Sequence, residues 1–306
     1  MLKWLKDIFH IEPPPPPEED ADDASEGGDD ALEAESVASR DKQDVDREAD
    51  AATVEPSAEP LSAATVRYDI HSHILPGVDD GSRTFDEACE CIDLLIAHGY
   101  AGAVVTPHIN RSMFGNDEPS LRDAWARFQP RIAERYEGFA LHLAAEYMMD
   151  DAFLDTLYDA PSRLLRFGPP SEAFADGSYV LIEFHTAVLP ANMDDLLSEC
   201  RRQGLRPVLA HVERYAFVVS GRGHERLAAW RDGGAIAQLN IGSLSGQYGK
   251  AIQKAARALW DASLIDLLGT DMHRTERAAT HLPESWRYVA EHPNQFNPAL
   301  QQKLKE

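Results

Sequence analysis

His71 and His73 stand one residue apart in Asp69-Ile70-His71-Ser72-His73-Ile74, and on an extended segment a period of two turns both imidazoles to the same face. Two imidazoles converging on one point form the start of a metal site. Pro76-Gly77 then breaks the run, and the turn that follows presents Asp79 and Asp80 as hard oxygen donors. Polar residues interrupt apolar runs again downstream: His108 in Thr106-Pro107-His108, Glu146 in Ala145-Glu146-Tyr147, Glu183 in Ile182-Glu183-Phe184 and His211 in Ala210-His211-Val212. Asp271 and His273 do so in Gly269-Thr270-Asp271-Met272-His273. Any one of these alone is more often a hydrogen-bonded core residue than a ligand. Repeated accidents are costly, because every buried imidazole or carboxylate needs a partner. Counting Asp80, five histidines and four carboxylates exceed what one ion can use, so two or three ions are expected. Nitrogen and oxygen donors without sulfur suit manganese and also admit iron, cobalt or zinc. Arg214 lies three residues beyond His211, close enough to face the same cavity, and its guanidinium fork can hold two phosphate oxygens.

The elements that must position these residues alternate. Strand-like runs are expected at 67–74, 102–109, 139–149, 178–184, 206–212, 235–241 and 265–271. Helical patterns fall between them at 85–99, 119–136, 193–203, 224–231 and 250–262, with a terminal helical region from Arg274, while 151–176 reads as irregular and proline-rich. About seven strands separated by helices predict an α/β fold with a parallel sheet, closed as a (β/α) barrel, whose active site lies at the carboxyl ends of the strands. The candidate residues all sit at those ends. His185 shares the strand parity of Glu183 and is expected to support it. The other histidines read as surface or core residues.

Composition divides the chain. Residues 1–66 hold 19 Asp and Glu against 5 Lys and Arg, which is 14 of the 23 net negative charges. With the run Pro13 to Pro17 and almost no aromatic residues after Phe9, this segment is expected to be a disordered acidic tail before a catalytic domain at 67–306. Its first ten residues are too short and too charged for a signal peptide or membrane span, so a cytoplasmic protein without a transmembrane segment is expected. Strong net acidity and the lack of a basic stripe argue against nucleic-acid binding. Cys89, Cys91 and Cys200 form no disulfide pattern. Cys200 and Arg206 have the Cys-x5-Arg spacing of cysteine-dependent phosphatases, but there the loop must run from strand into helix, and here helix precedes strand.

The stretch His71-Ser-His73-Ile-Leu-Pro-Gly-Val-Asp-Asp80-Gly-Ser82, together with Thr106-Pro-His108, Ala145-Glu146-Tyr147, Glu183-Phe184, His211-Val-Glu-Arg214-Tyr215 and Gly269-Thr-Asp271-Met-His273, resembles the bacterial capsule and exopolysaccharide tyrosine-protein phosphatases. These belong to the polymerase and histidinol phosphatase (PHP) superfamily. The resemblance covers roughly residues 67–285. It implies a distorted seven-stranded barrel and a trinuclear manganese site held by His71, His73, Asp80, His108, Glu146, Glu183, His211, Asp271 and His273. Arg214 takes the position of a phosphate-contacting arginine, Arg274 or Arg277 that of a second, and Asp271 and His273 lie at the reacting centre. The implied substrate is the phosphotyrosine-containing tail of a bacterial tyrosine kinase, hydrolysed by attack of a metal-bound hydroxide on phosphorus; an oligomer is compatible. Val212 stands where the family often has proline. Two competing readings are a PHP-type phosphoesterase acting on a small molecule such as histidinol phosphate, and a non-catalytic scaffold of polysaccharide machinery.

Overall fold

A computed structural model describes residues 67–293 and 298–304; the acidic segment 1–66 lies outside the described residues. Strand and helix alternate. β1 (Arg67–Asp69) leads through a turn into α1 (Phe85–Ala97), followed by β2 (Tyr100–Val105), β3 (His108–Ile109), α2 (Glu118–Arg135), β4 (Ala140–Leu143), β5 (Glu146–Met148), α3 (Asp151–Asp159) and β6 (Tyr179–Glu183). The chain continues with α4 (Met193–Arg202), β7 (Arg206–Leu209), α5 (Ala216–Val219), α6 (His224–Asp232), β8 (Ile236–Asn240), α7 (Lys250–Asp261), β9 (Leu267–Gly269), α8 (Thr275–Glu291) and α9 (Pro298–Lys303). The strands pair in parallel, in the orders β1-β2-β4 and β3-β5-β6-β7-β8-β9. This is an α/β architecture of parallel sheets.

Among the described residues, nine strand segments stand where about seven strands were expected. The runs anticipated at 102–109 and 139–149 are each interrupted for two residues, at Thr106-Pro107 and Ala144-Ala145. Pro107 has no N–H to place in a ladder. At the same points hydrogen bonds cross over: Thr106 N donates to Ser72 O at 2.8 Å and Ala144 N to Val105 O at 2.8 Å. Beyond β1, Ser72 forms a parallel bridge with Met272. His73 N donates to Met272 O and Asp271 N to His71 O, each at 2.8 Å, so the continuation of the first strand runs beside that of the last.

Alternation along the strands sorts two apolar clusters. Val180 and Ile182 of β6 pack into the larger one, with Ile92 of α1, Leu196 of α4 and Trp260 of α7. Tyr179 and Leu181, of opposite parity, join a smaller cluster with Ile70, Val104, Ala144, Val208, Ile236 and Leu267, one from each successive strand run. Continuing that second parity past each strand's apolar part reaches His108, Glu146, Glu183, Gln238, Asn240 and Asp271. The candidate site is therefore the polar end of the inner face. At the opposite end of the same cluster, Gln301 of α9 donates to Tyr68 O and Leu268 O, both at 2.7 Å, and its Oε1 accepts from Leu268 N at 3.0 Å.

Helix starts follow local chemistry. Thr84 Oγ1 accepts from Glu87 N at 3.2 Å, and Asp117 and Ser120 form a reciprocal capping box at α2. The region 151–176, anticipated as irregular, opens instead with α3, whose cap is Asp150 accepting from Phe153 N at 2.9 Å and whose inner face is Phe153 and Leu157.

Candidate metal centre

β1 ends at Asp69, yet the period of two carries through the bend: His71 and His73 place their Nε2 atoms 3.2 Å apart. Each ring is fixed from behind. His71 Nδ1 lies 3.1 Å from Gln238 Oε1, and His73 Nδ1 lies 2.9 Å from Asp79 Oδ2. An Nδ1–H donated backward leaves the Nε2 lone pair aimed at the centre, the usual orientation of an imidazole ligand. The turn can come so close because Gly81 has no side chain: a Cβ there would sit 2.0 Å from His73 O. Gly269 plays the same part in β9, where a Cβ would meet that of His71 at 2.7 Å.

Glu146 lies in the middle. His71 Nε2, His73 Nε2 and His108 Nδ1 approach its Oε2 at 3.2, 3.3 and 3.2 Å, and His211 Nε2 approaches Oε1 at 3.0 Å. Neither Glu146 oxygen makes a well-formed hydrogen bond, although the side chain is fully buried. Glu183 adds a second carboxylate, with Oε1 3.1 Å from His108 Nδ1. On the solvent side, Asp80 Oδ1 is 3.3 Å from His273 Nε2, and the rings of His73 and His273 stack at 4.0 Å. The second oxygen of Asp271 is occupied by three donors, Asn240 Nδ2 at 2.6 Å, Arg214 Nη1 at 3.2 Å and Tyr248 OH at 3.3 Å. That leaves Oδ1 facing His73 and His71 at 3.4 and 3.5 Å.

All nine residues singled out as candidate ligands thus meet in one place. Seven of them form overlapping groups: His73, Asp80, His108 and His273; His71, His73 and Glu146; and His108, Glu146 and Glu183. His211 and Asp271 adjoin these through Glu146 and through His71 and His73. Donor atoms held about 2.1 Å from a common ion sit roughly 3.0 to 3.4 Å apart, the separation seen between most of these atoms. Without a cation, lone pairs of neutral imidazoles and carboxylates would oppose each other, so the donor set fits divalent ions.

Electrostatics of the metal-free cluster agree. Burial alone would push the His71 pKa down, but Glu146 and Asp271 outweigh it and lift it to about 9. Burial works against ionisation of Glu146 and Asp271, yet the surrounding imidazoles hold both well below the ordinary carboxylate range. The hydrogen bond from His273 takes Asp80 down to about 2. A metal entering this cluster displaces protons from the histidines.

Two of the ligand candidates have strained backbones. His211 and Asp271 have φ of 36° and 51°, a left-handed conformation that costs a non-glycine residue about 1 to 3 kcal/mol. At His211 this ends β7 at Leu209 rather than at the anticipated Val212, and its N–H donates to Gln238 Oε1 at 2.8 Å. The turn also sends the neighbours Glu213 and Arg214 apart. Glu213 is buried against Ser243 Oγ at 2.7 Å, whereas Arg214 turns to Asp271.

A cavity of about 680 Å³ opens over the cluster, with Arg214, Arg274, Arg277 and Met113 on its walls. Both arginines after His273 therefore reach the site, and Arg274 Nη2 also donates to Asp80 O at 3.4 Å. His185 does not belong to it. β6 ends at Glu183, and His185 is exposed, its Nδ1 accepting from Ala187 N at 3.2 Å. The supporting residues Asp79, Gln238, Asn240 and Tyr248 were not among the sequence candidates, apart from Asp79 as an alternative donor. Gln238 and Asn240 are detectable only by extending the inner parity of β8 from Ile236.

Cys200 is buried in α4, and burial pushes its thiol pKa up to about 12. It has no access to this cavity. Cys200→Ala is expected to keep full turnover at a stability cost of roughly 1 kcal/mol for the small void, and iodoacetamide should not inactivate the native protein. Kinetics of the alkylated protein check both, and inactivation at Cys200 would contradict the geometry.

A family model described as capsular polysaccharide synthesis, CpsB/CapC, matches residues 67–298. The chain is 28% identical over 238 residues to the tyrosine-protein phosphatase YwqE of Bacillus subtilis (strain 168), covering 78% of this chain and 88% of that protein. It is 26% identical over 227 residues to the tyrosine-protein phosphatase CpsB of Streptococcus pneumoniae, covering 72% of this chain and 89% of that one. Among solved structures it matches one of the crystal structures of YwqE from B. subtilis and CpsB from S. pneumoniae, described as unique metal-dependent tyrosine phosphatases. The TM-score is 0.65 with 25% identity, over 78% of this chain and 91% of the other. The family match spans the residues that build the cluster, from His71 to His273, and the chain belongs to the CpsB/CapC family of capsular polysaccharide synthesis.

Proposed function

We propose that the chain is a metal-dependent protein-tyrosine phosphatase acting on the phosphotyrosine-containing tail of a bacterial tyrosine kinase that controls capsule or exopolysaccharide synthesis. The observation that carries this reading is the donor set itself. His71, His73, Asp80, His108, Glu146, Glu183, His211, Asp271 and His273 present ring nitrogens and carboxylate oxygens to one another, with arginines lining the cavity above them. In this reading β2 with β3, and β4 with β5, each form one stave of a distorted seven-stranded barrel. The nine side chains hold two or three ions, manganese in the first instance.

Bound divalent ions would supply Lewis acidity at the phosphate oxygens and lower the pKa of a water molecule to near neutrality. The chain does the rest. Arg214, fixed by Asp271 and lying 4.9 Å over the Tyr248 ring, presents its remaining N–H groups to phosphate oxygens. Arg274 and Arg277, which line the same cavity, add positive charge. Met113, 69% exposed at the cavity mouth, offers an apolar contact for an aryl ring. A tyrosyl oxygen, with a phenol pKa of about 10, leaves without a strong acid, and no cysteine is needed as nucleophile.

Chelation is expected to abolish hydrolysis of a phosphotyrosine peptide, and manganese should restore it better than magnesium, because imidazole-rich sites favour the later metal. Histidinol phosphate, an alkyl ester, should be turned over far more slowly. Full activity at metal contents near zero would sink the metal reading, and faster turnover of histidinol phosphate would move the substrate assignment.

A further inference from the structure

A second cavity, of about 440 Å³, adjoins the first and shares two of its wall residues, Arg214 and Tyr248. Those two side chains, stacked on each other, form the partition between the cavities. On the far side the walls are small and uncharged: Thr186 and Ala187 after β6, Ala216 and Val219 of α5, and Ile252 of α7. A hydrogen bond of 2.7 Å from Ala216 N to Thr186 O ties two of these walls together. Apart from Arg214, its one charged wall residue is Lys250, which is exposed and whose ammonium makes no ion pair or hydrogen bond among the described residues. Just beyond Ala187, Val188 and Leu189 are exposed at 44% and 38%.

We infer that this groove is a substrate subsite that receives the peptide chain flanking the phosphotyrosine and selects an acidic side chain there through Lys250. The inference rests on the phosphatase reading of the metal cavity. A phosphotyrosine held by Arg214 necessarily brings its own backbone to the cavity mouth, and the adjoining groove continues from that arginine. Small walls leave room for an extended backbone, which advances about 3.3 Å per residue. Charge complementarity picks the occupant. The chain carries 52 Asp and Glu against 29 Lys and Arg, so its general field repels acidic peptides. A groove whose charged wall residues, Arg214 and Lys250, are both cationic is a local exception.

The test uses the full chain loaded with manganese and three kinds of probe. These are 4-nitrophenyl phosphate, phosphotyrosine peptides with Glu scanned over the flanking positions, and the same peptides with Lys. The wild type should favour Glu over Lys in at least one flanking position by roughly threefold to fivefold in kcat/KM, the effect of one screened surface charge. Lys250→Met should flatten that preference, Lys250→Glu should reverse it, and added salt should erase it in all three proteins. Turnover of 4-nitrophenyl phosphate should be the same in all of them. If Lys250→Glu keeps the wild-type preference, or slows every substrate alike, the groove is not the subsite while the phosphatase reading stands. If no phosphotyrosine substrate is hydrolysed by the wild type, both fall together.

Discussion

Arg214→Ala should keep its metals and its fold and lose about a hundredfold to a thousandfold in kcat, by analogy with removal of one donor to a developing oxyanion. The fold should survive because Arg214 is one of three donors on Asp271, and Asn240 and Tyr248 remain to hold that carboxylate. Metals should survive because Asp271 turns its other oxygen to the histidines. Arg214→Lys should recover only part of the loss, since an ammonium cannot reproduce the fork. His73→Ala gives the contrasting result, loss of bound metal together with turnover, because its Nε2 faces both Glu146 and Asp271. Metal analysis beside steady-state kinetics separates the two. Near wild-type turnover in Arg214→Ala would leave that arginine as an ion-pair partner of Asp271 and nothing more.

Glu146→Gln is the substitution with the widest consequences. Four imidazoles lie within 3.3 Å of the Glu146 carboxylate, and an amide of the same shape removes the charge they share. Loss of metal and of turnover to background is expected. In the metal-free protein the variant should also change the pH dependence of stability, and the sign follows from the shifts. His71 is raised from 6.5 to about 9, so its interaction with the carboxylates stabilises the fold fully below pH 6.5 and fades as pH rises through 9. Glu146, held below its ordinary value of 4.5, contributes above that pH and loses its contribution on acidification. The gap between wild type and variant should therefore be widest between about pH 4.5 and 6.5 and narrow toward pH 9. Thermal melts of both metal-free proteins across that range measure it. A gap that widens with rising pH would mean that Glu146 is not the counter-charge of the cluster.

The alternation of strands and helices, and the positions where the ligand candidates fall, could be read from the sequence because each candidate except Asp80, which lies in a turn, interrupts an apolar run. His108, Glu146, Glu183 and Asp271 simply continue the inward parity of Val104, Ala144, Leu181 and Leu267. The same rule misplaced His185, since parity has meaning only while the chain stays extended and β6 stops at Glu183. It also overran at Val212, where the left-handed turn of His211 is set by a long-range hydrogen bond to Gln238 that no local signal announces. Gln238, Asn240 and Tyr248 escaped notice for a related reason. An amide or phenol in a strand or turn is unremarkable until the carboxylate or imidazole it supports is known to lie across the sheet. The helix at Asp151–Asp159 was legible in principle, from Asp150 as cap and the spacing of Phe153, Leu154 and Leu157, but the prolines beyond it obscured the pattern.

The contacts of Gln301 mean that, among the described residues, the edge between β1 and β9 is bridged, at the end away from the candidate metal centre, by a side chain and not by a backbone ladder. A single carboxamide, arriving from the final helix, answers the Tyr68 carbonyl and both polar groups of Leu268. The family match stops at residue 298, three positions short of it. A version of this protein trimmed to that homology boundary would keep every candidate ligand and lose the carboxamide that ties Tyr68 to Leu268, leaving Asp69 on Thr270 and the backbone bonds beside the candidate site to hold β1 against β9.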